Sequence, residues 1–472
     1  MALTPDEVTL IERHKSDLDQ YYLSDTLMSR YFDGEQRIEQ LGMAVPPSFR
    51  RFLLVVNWPG MYVESIESRQ DVRALILPGQ EKADPRLNEI MDANNLDADL
   101  SLFLQDRYVY GRSFFSVGSN EDDPANPLIH VESPREMSAF VDVRKRQMTS
   151  ACKFYSDDLG PLGNIAAGGP TNITLLKPDE TVWAQRDEAT GRWAEVDRDQ
   201  HRLGRVPVTM SLCRRRSGSW RGASLMQRIT GITDAAARAL TNLQFASEAH
   251  GVPTRYALGV SMGDFVDSEG KPLPVWEAYY NAVWANKNPD IKVGQFTVSD
   301  LKNFETQLNL YGKLAASVTL LPTRYFGLTT TNPPSADAIR AEEAQAVKFI
   351  ERQNSQVGSV LGWTAALALR FSTGTWVDGS RVGVEWHDPS TPTVAQREDA
   401  LMKRRSVGVL SRQGYWDELG WTEQRKAKEQ QYLDEEAAND PMLAAANKLM
   451  GGNTPAVPAM MNGGQGAPAG GG

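Results

Sequence analysis

Apolar residues recur at helical spacing close to the N-terminus. Thr4 and Glu7 are spaced as a capping box, Pro5 suits a first helical turn, and Gly34 suits a helix end. The apolar face between them is partly regular and consists of Val8, Ile11, Leu18, Tyr22 and Leu27. The pattern predicts a long helix that starts after Thr4 and ends at Gly34. Less periodic helical or mixed segments follow as far as Tyr110, including 47–54 and 97–110.

The pattern changes between about residues 127 and 216, where short runs rich in Val, Thr, Ile, Phe and Trp alternate with turn residues. Such runs indicate an antiparallel sheet inserted between helical regions. The predicted strands are 139–143, 150–155, 171–176, 181–185, 193–196 and 206–212. The glycines between 160 and 169 do not form a GxGxxG motif and predict a flexible connection.

A second capping box, formed by Ser224 and Gln227, predicts a long helix that runs to Gly251. A turn-rich segment over 252–298 follows, and it contains a short predicted helix with an aromatic stripe. The stripe is formed by Trp276, Tyr279, Tyr280, Val283 and Trp284. Packing in a core and docking to a partner explain this stripe equally well.

Two further long helices are predicted on either side of a polar loop. Residues 299–321 carry a narrow apolar seam, and Pro322 disturbs or ends that helix. The loop contains Thr329, Thr330, Thr331 and Asn332 before two prolines. The next helix re-forms at Ser335 and continues to about Phe371. Its apolar stripe is broken by Glu343, which we interpret as a sign of a partly solvated channel or a subunit interface.

The C-terminal part is predicted to be smaller and more polar. Within the long helix, Gly358 and Gly362 permit either a close approach of another element or a kink. After the helix a short strand is expected over 381–386. A charged helical region over 392–436 follows. The last residues, from about Gly451, are mostly Gly, Ala, Pro, Asn and Met, a composition typical of disorder.

Composition and charge narrow the possible classes of function. The chain has 472 residues, 41% of them hydrophobic, and a formal net charge of −10, so it can bury several subdomain cores. An acidic total argues against tight binding of nucleic acid through a broad basic face, although it allows a surface past which DNA slides. The sequence shows no secretory signal and no apolar run long enough to span a membrane.

The sequence lacks the common motifs for catalysis and metal binding. The five histidines are isolated from one another and from Cys152 and Cys213, and Walker A, GxSxG and Cys–His patterns are lacking. Glu342 and Glu343 are adjacent on a helix and point about 100° apart, which does not suit a two-carboxylate site. The sequence therefore predicts no catalytic residue, no metal site and no cofactor.

Three basic positions are candidates for contact with phosphate. One cluster, 144–146, lies in a predicted hairpin turn, and a second, 214–216 with Arg221, precedes the second long helix. Solvated turns or ion pairs between subunits explain both clusters more simply. Arg324 borders the polar loop and is the best single candidate for contact with DNA.

The segment 321–328, the Thr/Asn/Pro loop and the segment 335–340 together resemble the tunnel-loop region of tailed-bacteriophage portal proteins. Residues 56–59 and 67–69 are similar to the N-terminal part of portals from actinobacteriophages, and the order of elements agrees over nearly the whole chain. The resemblance implies an α+β portal fold with long stem helices, an antiparallel β wing, a small α/β clip, a helical crown and a disordered C-terminal tail. It also implies the following segments: N-terminal helices and wing 1–221, stem helix 222–251, clip 252–298, stem helix 299–322, tunnel loop 323–335, long helix and wing return 336–390, crown 391–449 and tail 450–472.

The same resemblance implies a function and partners. A dodecameric ring at one capsid vertex would carry double-stranded viral DNA during packaging and ejection, and would dock terminase, the major capsid protein, scaffold and a head-tail adaptor, with no membrane involved. Its subunits would assemble in the host cytoplasm and end in the virion. Arg324 and Thr329–Asn332 would contact DNA in the channel, while Trp276, Tyr279, Tyr280 and Trp284 would pack or dock in the clip.

Two other classes of protein stay open at this point. Another capsid or scaffold protein would share the lack of an active site but has no need for a polar loop between long helices. A polysaccharide hydrolase is suggested by the 11 tryptophans and many carboxylates. A deep pocket with two convergent carboxylates and a strongly shifted pKa would favour the hydrolase.

Overall fold

The computed structural model describes residues 3–36, 54–80, 82–156, 169–187, 189–250, 255–258, 292–295, 301–328, 335–390, 394–421 and 423–439. The chain divides into two compact units, Met1–Ser390 and Thr391–Gly472. The aromatic stripe of 276–284, the polar loop of 329–334 and the C-terminal tail lie outside the described residues.

Helices form most of the described framework of the first unit. They are α1 Pro5–Asp33, α2 Trp58–Glu67, α3 Pro85–Ala93, α4 Leu96–Tyr110, α5 Thr230–His250, α6 Lys302–Thr319 and α7 Ala336–Thr373. Short 3-10 turns precede α5, follow α6 and follow α7; they are Met226–Arg228, Thr323–Phe326 and Gly379–Arg381.

The described strands of the first unit form four sheets. In chain order they are β1 Val72–Ile76, β2 Arg112–Gly118, β3 Leu128–Glu132, β4 Met137–Asp142, β5 Gln147–Tyr155, β6 Asn172–Leu176, β7 Thr181–Arg186, β8 Trp193–Asp199, β9 Val208–Leu212, β10 Arg255–Leu258, β11 Lys292–Gln295 and β12 Gly383–Trp386. Their sheet orders are β1-β12, β10-β11, β3-β2-β9 and β4-β5-β6-β7-β8. The pairing is antiparallel in each sheet. The predicted α+β class is therefore confirmed.

The N-terminal helix begins and ends where its sequence predicts. The Thr4 side chain accepts from the Glu7 amide at 3.3 Å, the Glu7 carboxylate accepts from the Thr4 amide at 2.9 Å, and Gly34 closes the helix at a φ of +71°. The predicted apolar face is wrong at Tyr22 and Leu27, which are 61% and 48% exposed. The buried face instead includes polar residues that have partners in the sheet. It consists of Glu7, Ile11, His14, Leu18, Asp25, Met28 and Tyr31.

All six predicted strands are present, but they do not belong to a single sheet. Five of them form the sheet β4–β8, whereas the predicted strand 206–212 is β9 and pairs with β2. The sequence patterns did not reveal β2, because most of its side chains are buried on both faces and no alternation of polar and apolar residues results. The strands β1 and β3 also escaped prediction.

One large apolar core joins the helices to the smaller sheets. Helix α4 crosses β2, where the rings of Phe103 and Phe115 stack with centroids 4.0 Å apart. Side chains of α2 and of the second half of α7 complete this core. A second cluster lies between α1 and the five-stranded sheet and includes Ile11 and Phe154. Burial of this apolar area is the main contribution to the stability of the unit.

The helix α5 begins later than its sequence predicts. The hydroxyl of Ser224 accepts from the Met226 amide at 3.2 Å and donates to the Tyr108 carbonyl, so it anchors a 3-10 turn to α4. Thr230 is the first residue of α5, which then packs against α6. The predicted seam of α6 is confirmed in its C-terminal half, where Ala315 is fully buried.

The longest helix, α7, has 38 residues and would span roughly 57 Å if straight. Ser335 caps it by accepting from the Ala338 amide at 3.2 Å, as predicted. Gly362 serves a close approach, because a Cβ atom there would lie 2.5 Å from the Gly379 carbonyl oxygen. At Gly358 the same atom would meet ordinary contacts at 3.5 Å.

The second unit is helical over its described residues, in agreement with the predicted charged helical region. Its helices are α8 Val394–Ser406, α9 Arg412–Glu418 and α10 Glu423–Asn439. The buried Trp416 ring stacks on Trp421 with centroids 5.8 Å apart. In the part of the chain that the structure describes, no helix of either unit has the length and apolar character of a membrane span.

Candidate functional site

The candidate site is the turn between α6 and α7. Helix α6 ends at Thr319, and Leu320 takes a left-handed conformation with a φ of +64°. Pro322 then starts the 3-10 turn Thr323–Phe326, which Gly327 closes at a φ of +78°. The proline restricts the backbone and provides no amide hydrogen, so it ends α6 as the sequence predicts.

Arg324 lies in this turn and binds a buried carboxylate. Its guanidinium forms an ion pair with Oε1 of Glu343, on the second turn of α7. The same oxygen accepts from Nη2 of Arg69, just beyond α2, at 3.3 Å. The Glu343 side chain is 6% exposed, compared with 34% for Arg324. The turn and the segment just after α2 therefore share one buried carboxylate of α7.

Aromatic and apolar contacts hold the same turn. Nη2 of Arg69 donates to the Tyr325 hydroxyl at 2.5 Å. The ring of Phe326 meets the edge of Trp58 from α2, with centroids 5.5 Å apart. Leu328 covers Gly312 of α6, where an added Cβ would lie 3.2 Å from its side chain. The turn is therefore fixed to three helices of its own chain.

This geometry corrects the interpretation of Glu343. Its break in the apolar stripe indicated a solvated channel or a subunit interface, but the side chain is buried inside the subunit. Two arginines compensate its charge, which is how a protein accommodates a buried carboxylate. Arg69 lies in the segment 67–69 that resembles portals, but its contact with Glu343 escaped sequence reasoning because the two residues are 274 positions apart in the chain.

The other predicted contact residues are not brought together by the described structure. Thr329, Thr330, Thr331 and Asn332 lie outside the described residues, so their contact with DNA stays a prediction. Trp276, Tyr279, Tyr280 and Trp284 also lie outside them. Only the strands β10 and β11 represent the segment 252–298 in the described part of the chain, as an antiparallel pair.

The two basic clusters lie where the sequence predicts, in exposed turns. The residues 144–146 form the tip of the β4–β5 hairpin, where Asp142 accepts the amides of Arg144 and Lys145 at 2.8 and 3.0 Å. In the second cluster Arg221 binds Asp17 at 3.0 Å, which is an ion pair within the chain. These contacts support a solvated turn for the first cluster. For the second cluster an ion pair between subunits stays a prediction, since the pair of Arg221 and Asp17 lies within one chain.

The isolated His14 is a structural residue. Its ring nitrogens lie 3.1 Å from the Ser138 hydroxyl and 2.9 Å from the Ser150 hydroxyl, and its ring stacks on Phe140. Burial, followed by the nearby charge of Arg13, lowers the pKa of His14 to about 3. The imidazole is therefore neutral at neutral pH and joins α1 to the sheet.

A second buried side chain, also missed by sequence reasoning, fixes the middle of α7. Arg107 is fully buried in α4 and donates to Gln353 and Gln356 of α7 at 2.9 and 2.8 Å. Its Nε donates to the Ser211 hydroxyl of β9 at 2.8 Å. Through these three hydrogen bonds Arg107 links the long helix to the sheet β3-β2-β9.

A groove of about 680 Å³ lies between α7 and β12, and it contains two carboxylates. Glu351 binds Lys348 at 2.9 Å, and Asp388 accepts from the Ser390 amide at 2.9 Å, so both are engaged in local contacts. Among the described residues, no group of three or more His, Cys, Asp or Glu side chains is arranged to hold a metal ion.

The two free cysteines are also structural residues in this fold. Cys152 and Cys213 are both buried, and burial raises the pKa of each thiol. Buried thiols of this kind are inert packing residues.

The sequence matches a family model over residues 9–441, and that model is described as phage portal protein, SPP1 Gp6-like. The portal protein of Mycobacterium phage L5 is 34% identical over 422 residues, which are 86% of this chain and 84% of the relative. The portal protein of Mycobacterium phage D29 is 35% identical over 421 residues, with the same coverage.

Solved structures from gene transfer agent particles are also similar. One is the virion of the native particle, with 13% identity and a TM-score of 0.44 over 84% of this chain and 93% of the other. Another is the neck of the empty particle computed with C6 symmetry, with 15% identity and a TM-score of 0.45 over 81% and 95%.

The family match and the two phage relatives place the chain among structural proteins of bacteriophage particles. It belongs to the SPP1 Gp6-like family of phage portal proteins. The predicted resemblance is therefore confirmed, and with it a portal function at the capsid vertex. The family match favours a portal over another capsid or scaffold protein and over a hydrolase.

Proposed function

We propose that this chain is one subunit of a closed ring, a dodecamer, through which double-stranded viral DNA passes during packaging and ejection. The observation that carries the proposal is the fixed turn between α6 and α7. It places the ends of the 329–334 segment on a rigid base made from three helices. A rigid base is what a segment facing moving DNA requires.

The paired helices suit a ring as well. A head-to-tail ring needs two different surfaces on each subunit, and long helices provide stiff elements that repeat around an axis. In this proposal α5 and α6 lie in the stem, 252–298 forms the clip, and 391–449 forms the crown. The region before residue 222 and the residues 336–390 form the wing, and 450–472 forms the tail.

The contact with DNA would be weak and free of strong charge. Thr329, Thr330, Thr331 and Asn332 offer hydroxyl and amide groups that bond phosphate without an ion pair. Arg324 would contribute through the exposed third of its side chain, while Glu343 offsets much of its charge. Such contacts allow DNA to slide, because a chain with a net charge of −10 does not retain a polyanion by electrostatic attraction.

The proposed partners follow from the position at the vertex. Terminase would dock on the clip, the major capsid protein and scaffold would contact the ring from the shell, and a head-tail adaptor would bind after packaging. The subunits would assemble in the host cytoplasm. The chain itself would act as a conduit and a docking platform and carry out no catalysis.

Shortening the loop tests the proposed contact with DNA. Removal of Thr330 and Thr331 should leave ring assembly intact and reduce packaged or retained DNA, because the described contacts of the turn are formed by residues outside this segment. Lys145→Ala, on the exposed tip of the β4–β5 hairpin, is the control and should change neither property. Normal packaging by the shortened variant would show that this loop does not contact the DNA.

The clip assignment needs a separate experiment. Trp276→Ala or Trp284→Ala should weaken ring stability or terminase docking, since the stripe has to be covered by its own core or by a partner. Assembly and docking are measured by size-exclusion chromatography with and without terminase. Unchanged elution in both experiments would remove the stripe from the proposal.

A further inference from the structure

The start of α7 is an exposed stretch of helix with one buried charged residue. Arg340, Ala341, Glu342, Ala344 and Gln345 are exposed, whereas Glu343 is 4% exposed. A carboxylate is costly to bury unless it is paired and hydrogen-bonded. Its burial in this stretch therefore requires partners from other elements.

Those partners come from both sides of the loop-bearing segment. Arg324 belongs to the turn before residues 329–334, and Glu343 belongs to the helix after them. Arg69 reaches the same carboxylate from the segment just after α2 and also donates to Tyr325 in the turn. One ionic cluster therefore joins the turn before residues 329–334 to the helix after them.

On α7 the buried residues of the apolar core begin at Ala346, just after Glu343. Phe326 and Leu328 pack on Trp58 of α2 and Gly312 of α6, which hold the turn but do not belong to α7. The carboxylate of Glu343 joins α7 to that base. Hydrogen bonds to a charged group are directional. They therefore fix the position of the carboxylate as well as stabilising it.

We propose that Glu343 is a positioning residue for the loop, because it ties the start of α7 to the turn that carries Arg324 and to Arg69. It sets the separation and direction of the two chain ends between which residues 329–334 run. The inference rests on the proposed function for the role of the loop, but the geometry that it claims concerns the subunit alone. Loss of the negative charge would remove the ionic link between α7 and the turn, and would leave the guanidinium groups of Arg324 and Arg69 without this shared counter-charge.

The experiment compares Glu343→Gln with Glu342→Gln, which removes the same charge from the exposed neighbouring position. Amide hydrogen exchange is measured on the purified full-length protein in the segments 323–328 and 336–342. We expect exchange about tenfold faster in both segments for Glu343→Gln, since a charge-assisted hydrogen bond is lost. Glu342→Gln should exchange like the wild type.

A conservative variant separates positioning from general stability. Glu343→Asp retains the charge and should bring exchange in both segments back toward the wild-type rates. Exchange in the β4–β8 sheet should stay unchanged in all variants. If Glu343→Gln does not fold, Arg324→Gln removes one donor from the partly exposed side of the cluster and should accelerate the same two segments.

Three results would overturn the proposal. These are unchanged exchange in both segments for Glu343→Gln, equal acceleration by Glu342→Gln, and acceleration that extends evenly into the β4–β8 sheet. DNA retention by particles that carry Glu343→Gln then tests the consequence, with a loss expected. Rings that fail to form in the wild type would contradict the proposed function, whereas the exchange experiment would still test the position of Glu343.

Discussion

The guanidinium of Arg198 binds the carboxylate of Glu7, with Nη1 and Oε1 2.9 Å apart and Nη2 and Oε2 3.1 Å apart. Arg198 lies on β8 and Glu7 on the first turn of α1, so the pair closes the N-terminal helix onto the sheet. Lys177 adds a contact of 2.6 Å to the same carboxylate. Burial raises the pKa of Glu7, but the hydrogen bonds from Arg198 and Lys177 outweigh it and hold the pKa well below its usual value.

A lowered carboxyl pKa gives stability that is present above the unfolded-state value and is lost on acidification. We therefore expect the wild type to lose stability as the pH falls from about 5 toward 2, and Glu7→Gln to lose less over that range. Thermal unfolding followed by circular dichroism at several pH values measures this. Glu12→Gln, exposed on the same helix, should retain the wild-type slope, and equal slopes for Glu7→Gln and the wild type would refute the prediction.

The close approach at Gly362 predicts a steric effect. Gly362→Ala would place a methyl group 2.5 Å from the Gly379 carbonyl oxygen, so the 3-10 turn and α7 would have to separate. We expect a loss of about 1–3 kcal/mol in the free energy of unfolding, the usual cost of overpacking. Gly358→Ala is the matched control, with contacts at 3.5 Å, and should be neutral or stabilising. A smaller loss for Gly362→Ala than for Gly358→Ala would contradict the structure.

A second pH effect has the opposite sign. Burial raises the pKa of the Asp106 carboxyl to about 7, and the nearby charge of Arg112 only partly opposes this. Because the fold favours the protonated form, the wild type should lose stability as the pH rises from about 4 through 7. Asp106→Asn removes that ionisation, so it should be more stable than the wild type at about pH 8 and show little gain at about pH 4.

Urea unfolding at those two pH values tests this, with Asp97→Asn on the same helix as the control. The control should shift the unfolding midpoint equally at both values. A gain for Asp106→Asn at acidic pH only would reverse the sign and refute the assignment.

Local signals in the sequence predicted several helix ends correctly. These signals act between residues that are close in sequence, so they can be recognised in the sequence alone. They are the capping box of Thr4 and Glu7, the cap at Ser335 and the stop at Pro322. The same reading placed Ser224 at the start of α5. Its hydroxyl instead accepts from the Met226 amide and donates to the Tyr108 carbonyl. The contact with Tyr108 joins residues that are far apart in sequence.

Long-range contacts explain the remaining differences. Glu343 looked like a solvated break in an apolar stripe because its partner Arg69 is far away in sequence. The strand β2 gave no alternating pattern because it is buried on both faces. For the candidate site, the sequence and its family resemblance located Arg324 and the turn, but the ionic cluster that holds them depends on elements from three parts of the chain.

The central claim is that copies of this chain form a ring around a DNA channel. Electron microscopy of the purified full-length protein tests it most directly, because isolated particles reveal both symmetry and an opening. We expect closed rings with a central channel and, in class averages, twelve subunits. Monomers at all concentrations, or closed shells and filaments without a channel, would contradict the account.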